Sequence, residues 1–351
     1  MGNEIKFLEQ PNTATWLITG VAGFIGSHLL ETLLKLDQHV VGLDNFLSGS
    51  RQNLDEVMRQ VTPEQWLNFT LIEGDIRSLE DCHRAVNRVD YILHHAACSS
   101  VKHSIEEPIV THVNNVDGFF NILVASQAAR VKRVVYATSS AIYGNPSSGQ
   151  DGKCTDAQLQ SPYAVSKLVN EIYADVFFRI YGVESIGLRY FNIYGPRQDP
   201  NSDYAAVIPT WINAMIKGEP VYIYGDGETS RDFCYIDDVV QANLLAAFTV
   251  HASAVNQVYD VGAGKSINLN MLFHTMKQYF LEKERRFEHL KPHYQDFRLG
   301  DVRFSAADIT KTQERLSYKP KYDLAQGLSE TIDWCMYALE QARHMDELVE
   351  S

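Results

Sequence analysis

Along its first half the chain alternates two kinds of apolar pattern. Short runs rich in Val, Ile and Leu recur at Trp16–Thr19, Val40–Leu43, Asn68–Ile72, Tyr91–His94 and Val134–Ala137, each bounded by Gly, Asp or Ser. Runs of this length without a polar alternation predict strands buried on both faces. Between them, Ile25–Leu36, Leu79–Val86 and Val116–Ala129 space their apolar residues as amphipathic helices do. Such alternation implies right-handed crossovers and a parallel sheet covered by helices on both sides. A long helical stretch follows Tyr163, and Ser185–Leu188 again reads as a strand. From Gly195 the texture changes: Pro196, Pro200, Pro209, Pro220, a Gly225–Gly227 turn, Pro292 and Pro320 break the chain into shorter elements. The predicted fold class is α/β, a doubly wound parallel sheet with a smaller α/β domain attached, and the chain passing between them more than once.

Composition narrows the setting. With 351 residues, 45% hydrophobic and 21% charged, the chain can bury a sizeable core. A net charge of -13 argues against nucleic acid or an anionic membrane as the main partner. Met1 to Asn12 lacks a signal pattern and no apolar run is long enough to span a bilayer, so a cytoplasmic protein is expected. Cys82, Cys98, Cys154, Cys234 and Cys335 have no CxxC spacing, so neither a disulfide framework nor a metal site is expected. The sequon at Asn68 reads as chance.

Trp16-Leu17-Ile18-Thr19 runs directly into Gly20-Val21-Ala22-Gly23-Phe24-Ile25-Gly26, and then into a helix. Strand, glycine loop and helix in this order are what dinucleotide binding needs. Gly20 permits the tight turn, Gly23 lets backbone amides approach a pyrophosphate, and Gly26 lets the helix pack on the sheet. The helix N-terminus adds a favourable field for the anion. Asp44 follows at the end of the second strand, placed to accept hydrogen bonds from both adenosine ribose hydroxyls and to repel a 2′-phosphate, which favours NAD over NADP. Asn45 adjoins it, and Asp75-Ile76, after the third strand, fits a cap on the adenine edge. Arg51 is close enough to weaken the preference against a 2′-phosphate, but reads as a solvated loop residue.

Tyr163 and Lys167 stand one helical turn apart. A tyrosine is a poor base near neutrality unless neighbouring positive charge favours its phenolate. Such a pair also arises by chance on amphipathic helices. The upstream strand Val134–Ser140 ends in hydroxyls, and Ser139 is suited to bond the same substrate oxygen as Tyr163.

These motifs resemble the extended short-chain dehydrogenase/reductases that act on nucleotide sugars. The resemblance runs from the glycine loop through Leu93–Ala97, Ser139–Gly144, Tyr163–Lys167 and Leu188–Pro196 to Ser230–Ile236. Arg197–Pro200 and Tyr204–Pro209 look most like UDP-N-acetylhexosamine 4-epimerases, with UDP-N-acetylglucosaminuronate 4-epimerases similarly close. The resemblance implies an NAD-binding Rossmann domain over 1–193, with a returning segment around 233–263, and a UDP-sugar-binding domain over 194–351. By position, Ala96, Asn115 and Tyr190 would line the cofactor, together with Phe24 and Ile25. Asn192, Ala206 and Val207 would meet the nucleotide, and Val221, Tyr222 and Ile223 the uracil. Arg231 and Arg298 would neutralise phosphate, and Asp301 would bond the uridine ribose. Ser100, Ser139, Ser140 and Ser305 would face the sugar. A homodimer pairing the helix after Asn115 with the one carrying Tyr163 is implied as well.

Dehydratases and decarboxylases of this kind carry acidic residues directly after the catalytic Ser or Thr. Here Ser140 and Ala141 follow, so epimerisation at C4 is the expected reaction, with NAD unchanged at its end. Serine at 305, where related enzymes place a bulky aromatic, would leave room for a 2-acetamido group. Cys98–His103, Asn201–Asp203 and Pro196 depart from the nearest relatives, and Lys102 and His103 leave a substrate carboxylate open as an alternative.

Overall fold

The computed structural model describes residues 13–144, 159–200, 206–297 and 303–350. In chain order the elements up to residue 190 are β1 (Thr15–Thr19), α1 (Phe24–Lys35), β2 (His39–Asp44), α2 (Arg51–Gln60), α3 (Pro63–Trp66), β3 (Phe69–Glu73), α4 (Leu79–Ala85), β4 (Tyr91–His94), α5 (Val101–Glu106), α6 (Pro108–His112), α7 (Gly118–Ala129), β5 (Arg133–Ser139), α8 (Pro162–Tyr181) and β6 (Ser185–Tyr190). There follow β7 (Asn192–Tyr194), α9 (Val207–Lys217), β8 (Val221–Tyr224), β9 (Ser230–Tyr235), α10 (Ile236–Phe248), β10 (Gln257–Val261), β11 (Ser266–Asn268), α11 (Leu269–Lys283), β12 (Pro292–Gln295), α12 (Thr310–Leu316) and α13 (Leu324–Glu350).

Two compact units divide the chain. The first takes Met1–Tyr190, Val240–Asp260 and Thr310–Tyr318; the second takes Phe191–Val239, Val261–Ile309 and Lys319–Ser351. The chain thus returns to the first unit twice, where the sequence suggested one return around 233–263. Hydrogen bonding accounts for both returns. β10 joins the edge of the large sheet beside β6, and the Thr312 hydroxyl then donates to the Asp260 carbonyl at 2.6 Å.

In the first unit seven strands form one sheet in the order β10-β6-β5-β4-β1-β2-β3. Pairing from β3 through β6 is parallel throughout. Chain direction along the sheet reverses between β1 and β4, and such a switch point opens a crevice at the carboxyl ends of the strands. Register brings Thr19 level with His94, and Ser139 level with Tyr190, along that same edge. Trp16, Leu17, Ile18, Val134 and Val135 are fully buried, which is why these strands read as unbroken apolar runs. On one face, Leu17, Ile92 and Val134 pack against Phe119, Ile122 and Leu123 of α7 and Phe177 of α8. At the entrance to α7, Val113–Asp117 forms one π-helical turn. The extra residue changes which side chains face the sheet there.

The second unit holds a three-stranded sheet, β11-β9-β7, and a parallel pair, β12-β8. Asp232 on β9 is fully buried. Its carboxylate accepts from the amides of Ala263 at 2.7 Å, Gly264 at 2.9 Å and Ala307 at 3.2 Å, tying two loops to one strand. No helix among the described residues is long and apolar enough to cross a membrane. Truncating Asp232 removes the acceptor of three loop amides, that of Ala307 buried, so Asp232→Ala is expected to cost about 2 kcal/mol of stability. Urea denaturation followed by circular dichroism measures this, and an unchanged midpoint would show that the carboxylate does not hold the loops.

Candidate active site

The turn after β1 is closed by backbone proximity. Gly20 has φ +72°, and a Cβ there would come within 2.8 Å of the Ala96 amide. A Cβ on Gly26 would overlap the Gly20 carbonyl, so α1 lies this close to the turn only with glycine at that position. Gly23 caps α1 without a side-chain hydrogen bond, and the first turn carries no acidic residue. The leading amides are therefore open to an anion, with no carboxylate of the helix competing for them. Phe24 and Ile25 are half-buried in that turn, with Phe24 edge-on to His28. In front lies an open groove of about 530 Å³ lined in part by Gly20, Gly23, Asp44, Asn45, Ile76 and Ala96. Glycine turn, uncapped helix and terminal carboxylate suit an adenine dinucleotide.

Asp44 is buried, and backbone amides hold both of its oxygens. Ala22 donates to Oδ2 at 2.8 Å and Phe46 to Oδ1 at 2.8 Å. Burial pushes its pKa above the usual carboxylate value, and these amide bonds pull it back. The carboxylate keeps lone-pair capacity for a ribose hydroxyl. Asn45 donates to Asp75 at 2.8 Å. Arg77, hydrogen-bonded to Asp75, pulls that carboxyl down to about 2. Arg51 is not an idle loop cation: it pairs with Glu73 at 2.5 Å and lies over the Phe46 ring.

The reactive cluster forms where β5 meets α8. Tyr163 and Lys167 are both buried. The Lys167 ammonium donates to the Ala137 carbonyl at 2.9 Å and lies 5.8 Å from the centre of the Tyr163 ring. Ser139 accepts from the Ala141 amide at 3.1 Å and is hydrogen-bonded to Tyr163. Burial raises the Tyr163 pKa above 10 and the Ser139 bond lowers it. Burial brings Lys167 down to about 8, so it remains largely a cation at neutral pH.

Asn115, expected at the cofactor, has its amide group engaged by protein. It accepts from the Cys98 amide at 2.8 Å and donates to the Cys98 carbonyl and the Ser166 hydroxyl, both at 3.0 Å. Its neighbour Asn114 lines the groove. Ser100 caps α5 through the His103 amide, and Ser140 opens the 3₁₀ turn after Ser139. On the second unit, Asn192 begins β7, while Ala206 and Val207 open α9. Arg231 donates to the Ser230 carbonyl, and the Ser305 amide donates to the same carbonyl oxygen. Val221 and Ile223 are buried, with only Tyr222 of that strand exposed. Arg298 and Asp301 lie outside the described residues.

Several polar groups at the carboxyl ends of β1 and β4 went unread in the sequence. The Thr19 hydroxyl accepts from the amides of His95 and Ala96 at 3.2 Å and lies 2.8 Å from His94 Nδ1. Burial keeps both histidines neutral, His95 down to about 3. His95 stacks on Tyr190, and both meet Asn243, whose Nδ2 donates to the Tyr190 hydroxyl at 2.8 Å. The partnership of His95 with Asn243 spans 148 positions, and no local pattern announces it. The polar residues inside an apolar strand, as at Thr19 and Arg189, were the available signal.

Residues 16–262 match the model of the NAD-dependent epimerase/dehydratase family. A putative UDP-glucose 4-epimerase of Methanocaldococcus jannaschii is 35% identical, covering 91% of this chain and 97% of that protein. A solved UDP-N-acetylglucosamine 4-epimerase from Methanobrevibacter ruminantium, in complex with UDP-N-acetylmuramic acid, superposes with a TM-score of 0.82 at 35% identity, covering 93% of this chain and 99% of the other. A UDP-glucose 4-epimerase from Thermotoga maritima, solved with UDP-glucose, gives the same four values.

The Ser139 bond favours the charged form of Tyr163, so Ser139→Ala is expected to raise the phenol pKa. A base is active only when deprotonated, and the acidic limb of the kcat profile should therefore move to higher pH. A limb that stays in place in stopped-assay rates across pH would remove Ser139 from this role.

Proposed function

Because the chain belongs to the NAD-dependent epimerase/dehydratase family, we propose that it inverts C4 of UDP-N-acetylhexosamines, interconverting the gluco and galacto forms. The coarser statement, an NAD-dependent UDP-sugar 4-epimerase, rests on its relatives. The observation that carries the reading is Tyr163, hydrogen-bonded to Ser139 beside a buried Lys167, with no carboxylate at Ser140 or Ala141. Elimination would need an acid and a base there; inversion needs neither.

When bound, NAD supplies a reversible hydride acceptor for the sugar's C4. Gly20, Gly23 and the amides opening α1 would hold its pyrophosphate, and Asp44 its adenosine ribose. The Tyr163 oxygen takes the proton from the C4 hydroxyl and gives it back once the ketone has presented its other face. Ser139 donates to oxygen at this position while charge is on it. Lys167 uses one N–H on Ala137, leaving two for cofactor hydroxyls and keeping a positive charge beside the phenol. Asn192, Ala206, Val207, Tyr222, Arg231, Arg298 and Asp301 are assigned to the nucleotide. Ser100, Ser140 and Ser305 are assigned to the sugar, and the small Ser305 supports an acetamido group at C2. Lys102 is exposed and paired with Glu106 at 3.7 Å, so nothing in its setting favours a uronate.

Large apolar side chains stand exposed on α7 and α8, among them Phe120, Ile172, Ile180 and Tyr181. This surface supports pairing of two copies through these helices. Proton NMR of purified protein with UDP-glucose, UDP-N-acetylglucosamine and their uronates tests the substrate. Fastest inversion of the acetamido sugar is expected, and inversion of UDP-glucose alone would overturn the preference. Tyr163→Phe should lower kcat by about a hundredfold or more with UDP-sugar binding retained; near-normal turnover would remove Tyr163 as the base. Ile172→Glu should convert the protein to a monomer in sedimentation equilibrium, and a dimer that survives it would move the interface elsewhere.

A further inference from the structure

Glu171 continues the face of α8 that carries Tyr163 and Lys167, one turn beyond the lysine. Its side chain is 9% exposed and that of Arg189, on β6, 20%. The two meet in a bidentate pair, Nε to Oε1 at 2.9 Å and Nη2 to Oε2 at 2.6 Å. The same carboxylate accepts from the Thr138 hydroxyl at 2.8 Å. The remaining arm of Arg189 donates to the Tyr143 hydroxyl at 2.9 Å, and that hydroxyl is bonded to Asp260 at 2.7 Å. Thr138 immediately precedes Ser139, and Tyr143 ends the 3₁₀ turn that follows it. One ion pair therefore grips the Ser139 segment on both sides while anchored to the helix of Tyr163.

We propose that the Glu171–Arg189 pair is a positioning element, setting the register of α8 against the end of β5 so that Tyr163 meets Ser139 and Lys167 meets Ala137. Stability alone does not call for it, since apolar side chains of similar volume join buried elements at least as well as an ion pair. Apolar contacts slide, whereas a bidentate guanidinium–carboxylate pair fixes distance and angle together. A misplacement of about 1 Å at a reacting group costs up to about a hundredfold in rate.

The test for this inference, whose kinetic half rests on the 4-epimerase reading, is the double variant Glu171→Leu/Arg189→Met, which removes the pair without stranding a charge. Glu171→Gln serves if the double variant does not fold. Expected are a kcat lowered about tenfold to a hundredfold, a KM for the UDP-sugar within about threefold, and NAD retained on purification. An unchanged kcat, or a loss shared equally by kcat, KM and NAD content, overturns the proposal. A crystal structure of the variant gives a readout that needs no turnover. The Lys167–Ala137 contact should open beyond hydrogen-bond distance, and its persistence at 2.9 Å overturns the proposal whatever reaction the protein catalyses. Absence of turnover in the wild-type protein bears on the functional reading alone.

Discussion

An ammonium group buried to 3% exposure constrains everything near it. Lys167 donates to one carbonyl of the described protein, that of Ala137, although an ammonium carries three donors. Burial brings its pKa down to about 8. At neutral pH, below that depressed value, the folded state carries the full cost of desolvating the charge. The strand that supplies this carbonyl is buried up to Thr138, and the helix that carries the lysine is capped at Ser161.

The carboxyl end of β2 follows the same logic. Asp44 is buried, and amides of Ala22 and Phe46 orient it before any ligand arrives. Asp75 is held ionised by Arg77, and Arg51 is engaged by Glu73. Arg51 and Arg77 are thus both paired with carboxylates, which accords with a ribose free of phosphate. The neutral histidines at 94 and 95 add polarity without adding charge.

Much of the first unit was readable because its strands are buried on both faces. The run Trp16–Thr19 differs from β1 by one residue, and Tyr91–His94 coincides with β4. The glycine loop was readable for a related reason, since the close approach of Gly26 to Gly20 admits no side chain. Strands of three or four residues such as β7, β8 and β11 carry too few positions to establish a period, and the inward pointing of Val221 and Ile223 was lost with them. The π-helical turn before α7 breaks the regular helical period; Asn114 lines the groove, whereas Asn115 had been placed at the cofactor by resemblance. Partnerships such as Glu171 with Arg189 or His95 with Asn243 exist only once distant elements pack, and no window on the chain contains both members.

The division of the chain into interleaved segments bears on how the protein is made. β6 leaves the ribosome well before β10, its neighbour in the sheet, and α12 later still. Until residues 257–261 arrive, the outer side of β6 is an open parallel edge with unpaired amides and carbonyls. Folding that follows synthesis can complete the first unit only after most of the second has emerged. Neither unit is therefore a continuous stretch that a gene truncation could release intact, and nascent chains halted between residues 190 and 257 should be the ones that most need a chaperone.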